Sequence, residues 1–438
     1  MNLARTPVGR RQLLAGTAAG GAALALAACG GGDGGSSDGS VTITMVESLT
    51  NSARTELLAG LLEEFEAAHP GITVELVSPP TEQADQKIQQ MLQAGSGVDV
   101  LEVRDLTIGP FTNNSWLYDM TAETEAWDGF EQLTDQAKGF ATSVDGKAYA
   151  LPYGFYGLSL YYRPDLVEEA GFDGPPETWE DLVEQAAAIQ DPSQNRYGYA
   201  FRGTSNAIGQ TMSALEAYNA EDLDLENVYQ LADGSSIFSS AASQEALDMY
   251  IELFETGSPN SAVAWGYPEM VEAFTNGSTA FLLQDPEVIA AVEQSSLTED
   301  QWAVAPLVTG PGGKAMWPMA TAGWGVAEAS EHKDAAVKLV QWLSGEASTT
   351  FAKENSLVPI LQSASEDEHF RTGPWAAYVT MTEAPDTFLT CQEPRGVAWW
   401  TEWGQRSDTD IQRILTGDLS TTDALTGWDE FWTEKWEG

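Results

Sequence analysis

From residue 41 the chain alternates between two periods. Val41-Thr42-Ile43-Thr44-Met45-Val46 has the period of a half-buried strand. Leu57, Leu58, Leu61, Leu62 and Phe65 then share one face at helical spacing, and His69-Pro70-Gly71 stops that helix. Ile72 to Val77 is rich in β-formers. Pro79-Pro80 opens a second helical stretch carrying Ile88, Met91 and Leu92, which Gly95-Ser96-Gly97 ends before a third strand over Val98–Val103. Strand, helix, strand, helix and strand at this spacing predict a parallel sheet with right-handed crossovers. Ligands of such sheets bind beyond the carboxyl ends of the strands, which points to Glu47 and Ser48 after the first strand and to Arg104 and Asp105 after the third.

A second α/β region begins near Leu151-Pro152-Tyr153-Gly154-Phe155-Tyr156-Gly157, followed by the β-rich run Leu158 to Tyr162. Thr178 with Asp181 three positions on predicts a capping box, and Leu182, Val183, Ala186 and Ile189 form the apolar face of the helix behind it.

Composition narrows the function. The 438 residues include 66 acids and 20 bases, a formal charge of −46, with 43% apolar residues. That apolar share fills sizeable cores, and the acid excess repels phosphate backbones, so a nucleic-acid partner is excluded. Arg10-Arg11, an Ala/Gly/Leu-rich stretch and Leu26-Ala27-Ala28-Cys29 form a charged, apolar and small-residue succession, as in an export signal over 1–28. The paired arginines fit a twin-Arg address, with the general export route as the alternative. Leu-Ala-Ala-Cys resembles a bacterial lipobox, which implies lipidation of Cys29 and a flexible tether over 29–40. Cys391 is then left with no internal partner, so no disulfide is expected. His69, His332 and His369 have no ligand spacing, so neither a metal nor a cofactor is expected. Gly30, Gly32 and Gly35 match a dinucleotide fingerprint only inside the tether, where no strand precedes them.

The run LPYGFYGLSLYYRPDLVEEAGFDGPPETWEDL (Leu151 to Leu182) resembles family 1 extracellular solute-binding proteins, the sugar receptors of bacterial ABC importers. Phe274 to Phe281, Thr321 to Val326 with Lys333 to Leu343, Leu357 to Pro359, and Leu415 to Leu425 resemble further family segments in the same order. The resemblance implies an α/β, two-lobed, periplasmic-binding-protein-like type II fold with three hinge crossings near 152–156, 322–326 and 357–361. Lobe I would hold 41–154 plus 325–358, and lobe II 155–324 plus 359–438. It also implies reversible capture of a sugar or short oligosaccharide and delivery to a permease. The expected protein is a monomer on the outer face of the cytoplasmic membrane, with no chemistry done on the ligand. A polyol or other small solute is the alternative ligand, and an exported glycoside hydrolase the alternative class.

A sugar offers hydroxyls and apolar C–H faces, so its cleft needs flat rings beside charged groups. Tyr153 and Tyr156 flank the first crossing and Trp324 lies on the second. Arg395 and Trp399 match a family stretch with a stacking ring and an arginine. Trp400 competes with Trp399 for the cleft, because neighbours on one element do not face one pocket. Arg202 closes the β-rich run from Tyr197, and Trp265 lies in an aromatic loop with Tyr267. Maltose-type relatives often carry a tryptophan after the Gly277–Phe281 segment. This chain reads Leu283-Gln284-Asp285-Pro286-Glu287, which favours a small, strongly hydrogen-bonded solute with Asp285 as an acceptor.

Overall fold

The computed structural model describes residues 40–50, 52–391, 393–394, 397 and 399–437. The expected signal, tether, Cys29 and Arg395 therefore lie outside the described residues.

The opening βαβαβ pattern folds as its periodicity predicts. β1 (Val41–Val46) lies between β2 (Ile72–Val77) and β3 (Val100–Arg104), parallel to both. Helices α1 (Ser52–Ala68) and α2 (Thr81–Ala94) make the crossovers. Gly95 ends α2 at φ +62°, a left-handed conformation that costs a residue without a Cβ little. α3 (Asp105–Asn113) follows β3 directly.

β4 (Ala150–Gly157) joins this sheet through β9 (Ala315–Val326), which runs antiparallel to both β3 and β4. The β4–β9 register shifts between Pro152 and Gly154. At that point Gly323 lies so close to β4 that a Cβ would sit 2.2 Å from the Leu151 carbonyl oxygen. The early part of β9 pairs in parallel with β10 (Phe388–Cys391), giving the order β10-β9-β3-β1-β2, with β4 on β9.

A second sheet follows the order β6-β7-β5-β8. It comprises β5 (Ser159–Tyr162), β6 (Tyr197–Tyr199), β7 (Thr279–Gln284) and β8 (Ala303–Ala305). β6 and β7 are parallel, so their carboxyl ends emerge at one edge. Between β5 and β6, Thr178 and Asp181 form the expected reciprocal cap of the helix Trp179–Ile189.

One apolar cluster runs from Leu58 and Phe65 through Tyr153 and Trp324 to Tyr161, Phe201 and Phe281. A separate aromatic cluster gathers Tyr229, Phe238, Trp403, Trp428 and Trp432 around the two C-terminal helices. Cys391 is a buried free thiol, pushed well up by burial. Among the described residues no helix is long and apolar enough to cross a membrane.

Candidate functional site

Glu47 directly follows β1 and β3 carries Glu102 just before its last residues, so two carboxylates arrive side by side at the carboxyl edge of the first sheet. Both are fully buried. Arg54, in the first turn of α1, bridges them. Its Nη1 donates to Glu47 Oε2 at 2.5 Å and its Nη2 to Glu102 Oε1 at 2.8 Å. Glu102 also accepts from Ser48 N at 2.5 Å, Ser48 Oγ at 3.1 Å, Leu49 N at 3.0 Å and Tyr153 Oη at 2.5 Å. Thr55 Oγ1 donates to the second oxygen of Glu47 at 2.6 Å. The rings of Tyr153, Trp324 and Phe351 box the guanidinium at 5.5, 5.8 and 5.3 Å.

The electrostatics follow from this crowding. Burial opposes the charge on Glu102, but Arg54 and the donated hydrogen bonds outweigh it and lower its pKa. Burial likewise opposes Arg54, and Glu102 with the other acids and phenols of the cluster turns the net shift upward. This assembly fixes the start of α1 to β1, β3 and β4.

Tyr156 marks the outer edge of the cluster. Its hydroxyl lies 3.5 Å from that of Tyr153. Burial raises its pKa most, Arg54 opposes, and Glu287, which follows β7, adds to the rise.

The second wall is built at the shared edge of β6 and β7. Arg202 follows β6; Asp285 and Glu287 follow β7. The main-chain N–H groups of Gly203 and Thr204 donate to the Trp265 carbonyl at 3.0 and 3.1 Å, which ties the Arg202 loop to the start of the helix Tyr267–Thr275. Asp408, from the helix Trp400–Leu415, accepts from Asn206 N at 2.8 Å and lies within the field of Arg202.

These walls carry uncommitted charge. Burial lowers the Arg202 pKa against the pull of Asp408, Asp285 and neighbouring phenols. Arg202 makes no hydrogen bond or ion pair with a described residue, and its Nε is buried without a partner. Asp285 accepts from Glu287 N at 3.1 Å and pairs with no described base. Burial first, then Glu287, push its pKa up to about 7. Glu287 is open to solvent, yet desolvation still raises its pKa against Arg54.

The sequence-derived candidates separate into four groups. Glu47, Ser48 and Tyr153 belong to the Arg54 cluster, with Tyr156 at its rim. Arg202, Asp285 and Trp265 meet at the second wall. Trp324 is 1% exposed, sits opposite Glu102 in the β3–β9 pair and packs on Tyr153 at 5.1 Å, so both its faces are covered. Trp399 packs edge-on against Phe431, Trp432 and Trp436, while Trp400 meets Tyr229 edge-on at 5.6 Å.

Asp105 lies apart from all of these. It lines a cavity of about 1260 Å³ bordered by Phe155, Thr321, Val358 and Trp375. Phe155 faces this cavity, whereas its neighbour Tyr156 meets the Arg54–Glu287 side, as alternation along β4 requires. This cavity and the unpaired charges do not coincide, and the charges carry the candidate site.

Arg54, Glu102 and Asp408 were not among the sequence candidates, while Tyr267 and Glu287 entered only beside Trp265 and Asp285. Glu102 had a readable signal: an acid inside the apolar run Val98–Val103 must find a partner when buried. Arg54 and Asp408 gave none, because each lies on a helix whose polar face looks like any other. Among the described residues no group of His, Cys, Asp and Glu could hold a metal ion.

A doubly wound α/β frame with committed charge on one wall and uncommitted charge on the other defines a solute-binding protein of the periplasmic type. The chain belongs to the bacterial extracellular solute-binding protein family, whose pattern matches residues 51–350. That family places its members outside the cytoplasm. The mannitol-binding protein of Pseudomonas aeruginosa is 26% identical over 303 residues, covering 66% of this chain and 65% of the relative. The maltotriose-binding protein of Pyrococcus abyssi is 22% identical over 350 residues, covering 79% and 72%. The sugar-binding protein MalE of Xanthomonas citri superposes with a TM-score of 0.75 at 22% identity, over 90% of this chain and 97% of that one, which establishes the periplasmic-binding-protein fold.

Proposed function

We propose that this protein is the solute-capturing component of an ABC importer for a sugar or polyol. The observation that carries the reading is unpaired charge of both signs after neighbouring parallel strands, Arg202 behind β6 and Asp285 with Glu287 behind β7. A polyhydroxylated solute donates to carboxylates and accepts from a guanidinium with the same hydroxyls, so it satisfies both signs of unpaired charge at once. Relatives that bind mannitol and maltotriose support that ligand class.

In this reading Tyr156, Arg202, Tyr267, Asp285 and Glu287 touch the solute, with Trp265 beside them. Glu47, Ser48, Glu102 and Tyr153 hold Arg54 and the first wall in place. Trp324 and Trp399 act through packing. Lobe I (41–154 and 325–358) and lobe II (155–324 and 359–438) close on the solute by bending at the crossings, and the ligand leaves unaltered. The Cys29 lipid and the 29–40 tether hold the monomer at the membrane, where a permease receives the solute.

Thermal-shift screening of monosaccharides, disaccharides and alditols tests the reading, because a ligand that binds only the folded form raises its melting point. Saturable stabilisation, with the sugar recovered unchanged, supports it. Turnover of a glycoside, or indifference to every sugar and alditol, overturns it.

A further inference from the structure

The cavity of about 1260 Å³ beside Phe155 takes no part in the proposed capture of a solute, yet its position ties it to the site. Its floor is the place where three chain segments run side by side. Phe155 of β4 pairs with Thr321 of β9 along one edge, and along the other it exchanges two main-chain hydrogen bonds of 3.0 Å with Val358. All three residues line the cavity. Tyr156 points to the opposite face, with its hydroxyl 3.5 Å from that of Tyr153 in the Arg54 cluster. The cavity and the candidate site thus lie on opposite faces of one narrow ribbon.

The flanks of the cavity belong to different sheets. On one side stands the helix Asp135–Ala141, whose Phe140 shares an apolar cluster with Leu101 and Val103 of β3 and Ala150 of β4. On the other stands the helix Ala376–Glu383. Ser159 Oγ of β5 donates to its Tyr378 Oη at 2.6 Å, and the Leu307 N–H, just beyond β8, donates to its Met381 Sδ at 3.4 Å. One helix therefore travels with the first sheet and the other with the second. A bend of the ribbon that draws the walls of the site together spreads these helices, and a bend that parts the walls squeezes them.

Resting on the reading of a clamp that closes on its solute, we propose that this cavity is a conformational control for capture: whatever holds its flanks apart raises affinity on the far face. The coupling needs no contact with the solute, because a wedge enlarges the fraction of molecules already in the binding-competent form. Gly139 is the place for such a wedge. It borders the cavity from an exposed position on its helix, and no atom lies within 4 Å of an added Cβ.

Gly139→Trp tests the proposal, with Val379→Trp as a second wedge from the opposite helix and Gly60→Trp, on an exposed face of α1, as the control. Each protein is checked for a cooperative circular-dichroism melt. Isothermal titration uses the sugar or alditol that stabilises the wild-type chain. Either wedge is expected to tighten binding at least about fivefold. Small-angle X-ray scattering of the unliganded wedge proteins is expected to shift toward the curve of the solute-saturated wild type. Affinity and scattering that match the control overturn the proposal, as does weaker binding. If the wild type binds a sugar or alditol in that case, the importer reading stands and only the coupling falls. If nothing in the panel binds, the importer reading falls, and the unliganded scattering alone decides the coupling: a change against the control upholds it, and none removes it.

Discussion

Arg54 and Glu102 form a 2.8 Å ion pair with both side chains almost wholly withdrawn from water. Removing one partner leaves a buried charge unbalanced, which costs far more than the pair gains. Glu102→Gln is expected to lower unfolding stability by about 3–5 kcal/mol, and Tyr153→Phe by about 1–2 kcal/mol through the lost hydroxyl donor. Urea denaturation measures both. Because the folded pKa of Glu102 is depressed below its unfolded value of 4.5, its stabilisation is present above that pH and is lost as pH falls through the folded value. A Glu102→Gln protein with wild-type stability would show the cluster to be dispensable.

Asp285 behaves oppositely. Its folded pKa of about 7 exceeds the ordinary 3.8, so the folded form holds a proton that the unfolded chain has lost. Stability from this group is full below the ordinary value and disappears as pH rises through about 7. Asp285→Asn has no proton to lose. Its stability gain over wild type is expected to widen between pH 5 and pH 8, reaching about 2 kcal/mol after allowing for partial solvent screening. Chemical denaturation at the two pH values checks this, and a gap independent of pH contradicts it.

Arg202 separates binding from folding. Its guanidinium is partly desolvated and contributes no ion pair to the fold, so Arg202→Met is expected to leave the melting temperature unchanged or slightly raised. Affinity for the solute is expected to drop about 10- to 100-fold, the loss of a charge-assisted hydrogen bond from a cleft. Titration with whichever alditol or sugar stabilises the wild type measures it. Unaltered affinity would remove Arg202 from the site.

The same contrast explains what the sequence reveals. The βαβαβ start is legible because a strand buried on one face and a helix buried on one stripe leave different periods, and β1, β2, α1 and α2 fall where those periods place them. The Thr178–Asp181 cap is legible because it is local. Tryptophan direction is not: Trp324 turns inward because its partners in β9 pairing are Glu102 and Leu151, a relation set by strand order and by no nearby residue. The second wall was half legible. Strand ends pointed to Arg202 and Asp285, while the contributions of Tyr267 and Asp408 come from helices that only the tertiary fold brings beside them.

Gly323 tests the crossing between β4 and β9. A Cβ there would meet the Leu151 carbonyl oxygen at 2.2 Å and the Pro152 Cα at 3.0 Å, both main-chain atoms that cannot swing aside. Gly323→Ala is expected to force the strands apart at the register shift and cost about 2–3 kcal/mol, on the scale of overpacking a rigid site. Gly60→Ala, with nothing within 4 Å of the added methyl, is the control on an exposed helix face and is expected to be neutral or stabilising. Equal denaturation midpoints for the two variants would mean the β4–β9 approach tolerates more separation than its geometry allows.

The net charge of −46 has a consequence of its own. Most of these acids are exposed, and their mutual repulsion weakens the compact form more than the expanded one. Salt shortens the range of that repulsion, from about 10 Å at 0.1 M to about 3 Å at 1 M. The melting temperature is therefore expected to rise between 0.02 and about 1 M sodium chloride, with most of the gain at the dilute end, where the Debye length changes fastest. The Arg54 cluster is shielded from solvent and does not share in this dependence, so Glu102→Gln should keep its full deficit at every salt concentration. Sucrose, which favours compact states by exclusion and screens no charge, separates the two causes. A melting point that rises with sucrose but stays flat in chloride would show that the acidic coat is not a source of strain.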